Sequence, residues 1–174
     1  MATDDLTIPQ HTPLTEAPRS IPDILAQEQS SQLPYWDSSV AFRLGCALRT
    51  RLLTFDRPAV IQISTITTPA HVLFHATTHT GTSPNNDAWV QRKRASVIRF
   101  GASTWRLQQE YGGDEALFAA KNGLVGGAAG AYAIHGGGVP VFVRNCSGMV
   151  GVVVVSGLKQ WDDHQVVVEE LGGL

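Results

Sequence analysis

Apolar positions in the first third of the chain recur with the spacing of a helix. The segment Ser20-Ile21-Pro22-Asp23 combines a capping serine, an early proline and an acidic residue, and predicts a short helix to about Gln32. Asp37 begins a second predicted helix, because one face carries Val40, Leu44, Ala47 or Leu48, and Leu52.

The pattern changes to that of β-strands after Pro58. Residues 59–64 and 71–77 are apolar and β-branched, and predict an antiparallel hairpin. Residues 139–144 predict another strand, with Pro140 placing its start at an edge or rim. Residues 149–155 are apolar at every position, as in a central strand buried on both faces. We therefore expect an α/β (α+β) fold, with an antiparallel sheet of about five strands and helices packed on both sides.

Three more helices are predicted between and after the strands. A long helix runs from about residue 85 or 87 to Gln109, before Gly112-Gly113, and residues 114–120 form a short one. The last begins near Asp162 and ends at Gly172-Gly173. Residues 123–130 are rich in glycine and alanine and predict a flexible segment.

The first 19 residues are rich in threonine and proline and have no periodicity. They predict a flexible N-terminal arm, followed by a single domain over residues 20–174. No internal repeat interrupts this domain.

Composition narrows the classes of partner. Lys and Arg number 13 against 15 Asp and Glu, a net charge of −2, which argues against nucleic acid or an anionic membrane surface as a partner. The longest apolar run is too short to span a bilayer, and no signal peptide is evident. With only Cys46 and Cys146, both interpreted as reduced thiols, the sequence predicts a cytoplasmic protein.

Three histidines, His71, His75 and His79, have a spacing of four that suits a metal site on a helix. Their neighbours favour a strand, in which a four-residue step is roughly 13 Å. That distance is too long for two ligands of one metal, so we predict no metal site.

The densest basic stretch contains Trp89, Arg92 and Lys93. One interpretation is a solvated helix face with an anchoring tryptophan. The other is an anion grip, in which Arg92 or Lys93 meets a carboxylate or phosphate.

The segment His135-Gly136-Gly137-Gly138-Val139-Pro140 carries three glycines beside a strand. Such glycines permit the close backbone approach of a ligand-facing rim, where His135 can donate, accept or ligate iron. The alternative is a tight turn whose histidine bonds only to neighbours. The segment is neither a P-loop nor a dinucleotide fingerprint, since no Gly-Lys-Ser/Thr and no helix follow it.

A last group, Ser156, Gly157, Asp163 and His164, lies where a strand passes into a helix. Acidic residues at a helix start need no function to explain them. The glycines of a nucleophile elbow are missing around Ser156, so a Ser/His/Asp triad is rejected.

Taken in order, five segments resemble the haem-degrading-domain family, which includes glycolate-operon and extracellular haem-binding proteins. The likeness is to its short branch of uncharacterised bacterial and fungal proteins, and extends from about Ile21 to Leu171. The segments are NDAWVQRK (86–93), VIRFG (97–101) with Ser103, HGGGVP (135–140), VGVVVVSGL (150–158) and QWDDHQVVV (160–168).

The resemblance implies a profilin-like fold, a homo-oligomer built from dimers, and a ligand pocket near a subunit interface. This sequence departs from the family pattern at Gly138, where similar proteins tend to carry Ala or a larger residue, and in residues 123–130, which are richer in glycine than this segment usually is. The ligand-binding residues it implies, with Gly138 added from the same rim, are Trp89, Arg92, Lys93, His135, Gly136, Gly137, Pro140, Ser156, Gly157, Asp163 and His164.

Two classes of function follow. The first is a binding protein for haem or a small anionic metabolite, with Arg92 or Lys93 facing the ligand's carboxylates and His135 or His164 as axial ligand of a haem. The second is a non-enzymatic adaptor that recruits protein partners through its oligomeric surface and N-terminal arm. A hydrolase or oxidoreductase with a diffusible substrate is a third hypothesis, although no catalytic pair stands out.

Overall fold

A computed structural model describes residues 10–174 and contains six α-helices, one 3₁₀ helix and four β-strands in that range. In chain order they are α1 (Ile21–Ser30), α2 (Ser38–Leu52), β1 (Val60–Thr65), β2 (Val72–Thr77), α3 (Pro84–Phe100), α4 (Thr104–Glu110), α5 (Glu115–Lys121), the 3₁₀ helix (Gly126–Ala131), β3 (Gly138–Phe142), β4 (Met149–Ser156) and α6 (Gln160–Gly172).

The four strands form one antiparallel sheet in the order β2-β1-β4-β3. The expectation of about five strands is therefore wrong by one. On the outer side of β3, within residues 10–174, the sheet gains a single isolated bridge, in which Val143 pairs with Leu33 in the parallel sense. A lone bridge adds no ladder of hydrogen bonds, so this edge gains no fifth strand.

Helices cover both faces of the sheet, as predicted. In β4, Val153 and Val155 point to the side of α2 and α6, whereas Val152 and Val154 pack against α3. The uninterrupted apolar run of β4 is explained by this burial on both faces. A third apolar cluster lies beside the sheet and joins the α4–α5 region to the segment before β3; its buried members are Ala102, Leu107, Phe118, Leu124 and Ile134.

The long helix predicted as far as Gln109 is wrong, because the structure has two helices there. Gly101 ends α3 in the left-handed conformation, with φ of 62°, and Ser103 caps α4 by accepting a hydrogen bond from the Arg106 amide at 3.0 Å. Within residues 123–130, Gly126 to Gly130 lie in the 3₁₀ helix, and the flexibility of this segment stays a prediction.

The second half of the predicted arm lies against the domain. The amide of Thr15 donates to Glu169 of α6 at 2.9 Å, and Pro18 accepts from the indole of Trp105 at 2.7 Å. Ala17 is buried between them. Residues 15–18 of the predicted flexible arm (residues 1–19) thus contact the domain, and residues 1–9 lie outside the described range.

None of the helices within residues 10–174 is both long and apolar enough to cross a membrane.

Candidate functional site

A cavity of about 230 Å³, called here the Trp89–His135 cavity, opens between α3, the turn before β3 and the turn from β4 to α6. Six of the residues predicted for the site lie together in its wall, although they come from three distant segments of the sequence. Its lining residues are Trp89, Lys93, His135, Ser156, Gly157, Leu158, Gln160 and Asp163.

An ion pair between Lys93 and Asp163 forms part of the wall. The Lys93 ammonium donates to Asp163 Oδ2 at 3.1 Å and to the Val155 carbonyl at 3.0 Å, and both charged side chains are almost fully buried. Asp163 also accepts hydrogen bonds from the amides of Gly157 and Leu158, at 3.3 and 2.9 Å. The pair therefore fixes the β4–α6 turn, and each buried charge is compensated by the other.

The glycines of the site allow close packing around this pair. A Cβ on Gly136 would lie 2.2 Å from the Gln160 carbonyl oxygen, and one on Gly137 would lie 2.3 Å from that of Val155. A Cβ on Gly157 would meet the Pro58 carbonyl oxygen at 2.2 Å. Only glycine fits at these three positions, because backbone atoms cannot move aside as a side chain can.

Three side chains contact one another at the cavity rim. The guanidinium of Arg92 lies 4.4 Å from the ring centre of Trp89 and donates through Nε and Nη2 to the Tyr132 carbonyl, at 3.1 and 2.9 Å. The ring of Trp89 meets that of His135 edge to face, with centroids 5.0 Å apart and planes at 73°. Arg92 thus joins α3 to the segment that carries His135.

Glu115 completes the rim and was not among the residues predicted from the sequence. Its Oε1 lies 3.3 Å from His135 Nδ1 and 3.8 Å from Arg92 Nη2. The sequence marks Glu115 only as an acidic residue at a helix start, a feature found on most helices. Nothing in the sequence pattern links it to a histidine that follows 20 residues later.

Six of the twelve predicted site residues are not in the cavity lining: Arg92, Gly136, Gly137, Gly138, Pro140 and His164. His164 is fully buried on another face of α6, where Nε2 is 3.2 Å from the side-chain oxygen of Gln27. Burial lowers the pKa of His164 to about 3, so the ring is neutral near pH 7. Gly138 and Pro140 belong to β3, where they pair with Val154 and Val152 of β4.

The remaining histidines and cysteines are dispersed. His75 Nε2 lies 3.4 Å from Asp87 Oδ1, and both cysteines are unpaired and exposed. Over residues 10–174, no three side chains of His, Cys, Asp or Glu are grouped as metal ligands would be.

Comparison with protein families gives a match over residues 37–171 to the family described as "Haem degrading protein HbpS-like". Among individual proteins, a "UPF0303 protein" of Psychromonas ingrahamii is 34% identical over 155 residues, covering 89% of this chain and 92% of its own length.

Solved structures give the same result for the fold. The crystal structure of the Ybr137w protein has a TM-score of 0.79 and 28% identity, and covers 88% of this chain and 87% of its own. The crystal structure of HbpS has a TM-score of 0.58 over 82% of this chain and 91% of its own, at 15% identity, and so supports the fold alone.

Proposed function

Because this chain belongs to the family of HbpS-like haem-degrading proteins, we propose that it binds a small ligand in the Trp89–His135 cavity, with haem as the principal candidate. One observation carries the proposal: the imidazole of His135 is half exposed at the mouth of the cavity and contacts the indole ring of Trp89, which lines the same cavity. An accessible imidazole beside an aromatic wall suits a flat ligand with a metal centre.

The fit of haem depends on size as well as on chemistry. His135 would supply the axial ligand and Trp89 an apolar wall, and haem itself would bring an iron centre for oxygen and electron chemistry. The cavity of one chain, about 230 Å³, is smaller than the roughly 300–1,000 Å³ of sites that enclose a drug-sized ligand. We therefore propose that a second copy of the chain closes over the open side, in a homo-oligomer built from dimers.

Charge at the site distinguishes the two cations predicted to meet the ligand's carboxylates. A carboxylate at Lys93 would compete with Asp163 for a buried ammonium. Arg92 has a side chain that is 27% exposed, and its described hydrogen bonds use only Nε and Nη2. We propose Arg92 as the residue that meets a ligand carboxylate, since a guanidinium has further N–H groups to donate.

A smaller anionic metabolite is the second candidate ligand. The observation that favours it is the cavity volume, which suits a molecule of a few heavy atoms within one chain. The two candidates differ in whether a metal is needed and in whether a second copy must be present.

A hemin titration followed by absorbance separates them. Wild type is expected to give a saturable Soret shift at one haem per subunit or per dimer, and to bind metal-free protoporphyrin IX more weakly. His135→Ala should weaken hemin binding by more than about tenfold, because loss of the axial ligand costs more than loss of a group that only orients it. In a dilution series, light scattering follows the dissociation of the oligomer and absorbance follows hemin binding, which tests whether the two are lost together.

His71→Ala is the matched control. His71 is exposed, and its carbonyl accepts a hydrogen bond from the Thr65 amide at 2.9 Å, at the C-terminal end of β1. The cavity lies near the other end of β1, where Val60 pairs with Ser156 of the cavity lining. We expect no change in hemin affinity. A non-saturating response in wild type would exclude haem. The second candidate is then tested by a thermal-shift screen of small carboxylates, in which Trp89→Ala serves as the variant with an altered cavity.

A further inference from the structure

The nitrogen Nδ1 of His135 is enclosed by protein, although the ring itself is 42% exposed at the rim. It makes no hydrogen bond of good geometry, and a carboxylate oxygen, Glu115 Oε1, lies 3.3 Å away. An ionised carboxylate only accepts hydrogen bonds. The contact is therefore favourable when Nδ1 carries a proton, and repulsive when Nδ1 presents a lone pair.

The position of Glu115 is itself fixed from two sides. The preceding residue, Asp114, caps α5 by accepting from the Leu117 amide at 2.8 Å. Arg92, anchored on the Tyr132 carbonyl, places Nη2 at 3.8 Å from the Glu115 carboxylate. On its other side the imidazole meets the ring of Trp89. His135 is thus contacted by groups from two helices before any ligand arrives.

We propose that Glu115 is a positioning residue of this cavity, which keeps the proton of the neutral His135 ring on Nδ1 and leaves the lone pair of Nε2 to meet the ligand. The inference rests on the proposed function in taking this cavity as the ligand site. The assignment of the proton to Nδ1 of His135 does not depend on that function. A neutral imidazole carries one N–H, so fixing it on Nδ1 makes Nε2 an acceptor or a metal ligand.

This assignment restricts the chemistry of the ligand atom that meets His135. An Nε2 lone pair binds a metal centre with an open coordination position, or accepts from an N–H or O–H donor. A carboxylate oxygen at the same place would meet a lone pair and be repelled. The carboxylate of an anionic ligand therefore belongs at Arg92, and its metal or donor group at His135.

The experiment reads the imidazole directly in the full-length protein. Long-range ¹H–¹⁵N correlation spectra, recorded where the rings are neutral, distinguish protonated from unprotonated ring nitrogens. The His135 signals are assigned by their loss in His135→Ala. Wild type is expected to show a protonated Nδ1, and Glu115→Ala a shift of the population towards protonated Nε2.

Glu110→Ala is the matched control, because Glu110 is also a partly exposed helical carboxylate but pairs with Arg106. Its His135 spectrum should equal that of wild type. Hemin affinity should fall about tenfold in Glu115→Ala, as for other residues that orient a ligating histidine, and stay unchanged in Glu110→Ala.

A wild-type ring protonated on Nε2, or one unaffected by Glu115→Ala, would overturn the inference even if hemin binds. If the imidazole responds as expected and hemin does not bind, the inference stands and the haem proposal fails. The two results are thus separable.

Discussion

The atoms that an added Cβ would meet determine which glycines of the site can be replaced by alanine. Gly137 has φ of 119°, and a Cβ there would meet the Val155 oxygen and, at 2.8 Å, the Lys93 ammonium nitrogen. Gly138 has an ordinary backbone conformation, and a Cβ there would meet methyl carbons of Val97 and Thr104 at 3.0 and 3.1 Å and the Lys93 carbonyl oxygen at 3.2 Å, all much longer than the 2.3 Å contact at Gly137. Side chains can shift by the few tenths of an ångström that a methyl group needs, whereas a sheet carbonyl cannot.

We therefore predict that Gly137→Ala lowers the free energy of unfolding by about 3 kcal/mol or more, from strain and collision together. Gly138→Ala, which supplies the residue that similar proteins tend to carry, should cost about 1 kcal/mol. Urea denaturation of both variants beside wild type measures the difference. Equal stabilities would show that the turn before β3 relaxes more easily than its contacts indicate.

The buried pair of Lys93 and Asp163 gives a second prediction. Lys93→Met removes one partner and leaves the carboxylate buried without its cation, which should cost about 3–5 kcal/mol. Lys121→Met, at an exposed lysine in the last turn of α5, should change stability by less than about 0.5 kcal/mol. Chemical denaturation at pH 7 compares them, and a mild effect of Lys93→Met would mean that water reaches Asp163.

At the scale of elements, the break between α3 and α4 depends on Gly101. A Cβ there would contact nothing within 4 Å, so the only cost of a side chain is the left-handed φ of 62°. We predict that Gly101→Ala destabilises the protein by about 1 kcal/mol, and Gly101→Asn by less, since asparagine adopts this conformation more readily.

Thermal unfolding of the two variants ranks them. A more stable Gly101→Ala would indicate instead that the two helices fuse into the single long helix expected from the periodicity.

The same break shows what the sequence predicts about elements and what it leaves out. Periodicity and capping residues located most helices and the four strands, because those signals act over a few neighbouring residues. The apolar pattern continues across Gly101, and one glycine within such a pattern is often tolerated in a helix. The left-handed conformation of Gly101 and the capping of α4 by Ser103, both seen in the folded chain, separate the two interpretations.

Contacts between elements were harder to predict. The site residues in the cavity were found as three short motifs, but the bond from Lys93 to Asp163 spans 70 positions and depends on how α3 and α6 lie across β4. His164 follows Asp163 directly, yet it points into another part of the core, because successive helical residues diverge by about 100°. The motifs therefore indicated which short segments form the site, but not which of their side chains contact one another in the folded chain.

At the scale of the whole molecule, His164 couples stability to pH. Its pKa is about 3 in the folded chain, against 6.5 for the free side chain, because burial disfavours the charged ring. Between these values the unfolded chain binds a proton that the folded chain does not. The contribution of neutral His164 to the free energy of unfolding is therefore fully present above about pH 6.5 and is lost as the pH falls towards 3.

We predict that the free energy of unfolding of wild type decreases by several kcal/mol over that interval, and that His164→Gln reduces the slope. Burial raises the pKa of Glu28, which acts in the opposite direction near its own range. The difference between wild type and His164→Gln isolates the histidine, since Glu28 is present in both. Parallel curves for the two proteins would contradict this role.

The small cluster around Phe118 has a consequence for motion. Within α5, Phe118 is the one fully buried side chain, and its apolar partners lie beside the sheet rather than in either main core. We expect such a segment to open more readily than the sheet, and each opening would remove Glu115 from His135. The amide hydrogens of α5 should therefore exchange with deuterium early in the free protein. A ligand that requires the Nε2 lone pair of His135 should slow that exchange, because it favours the state in which Glu115 lies beside His135.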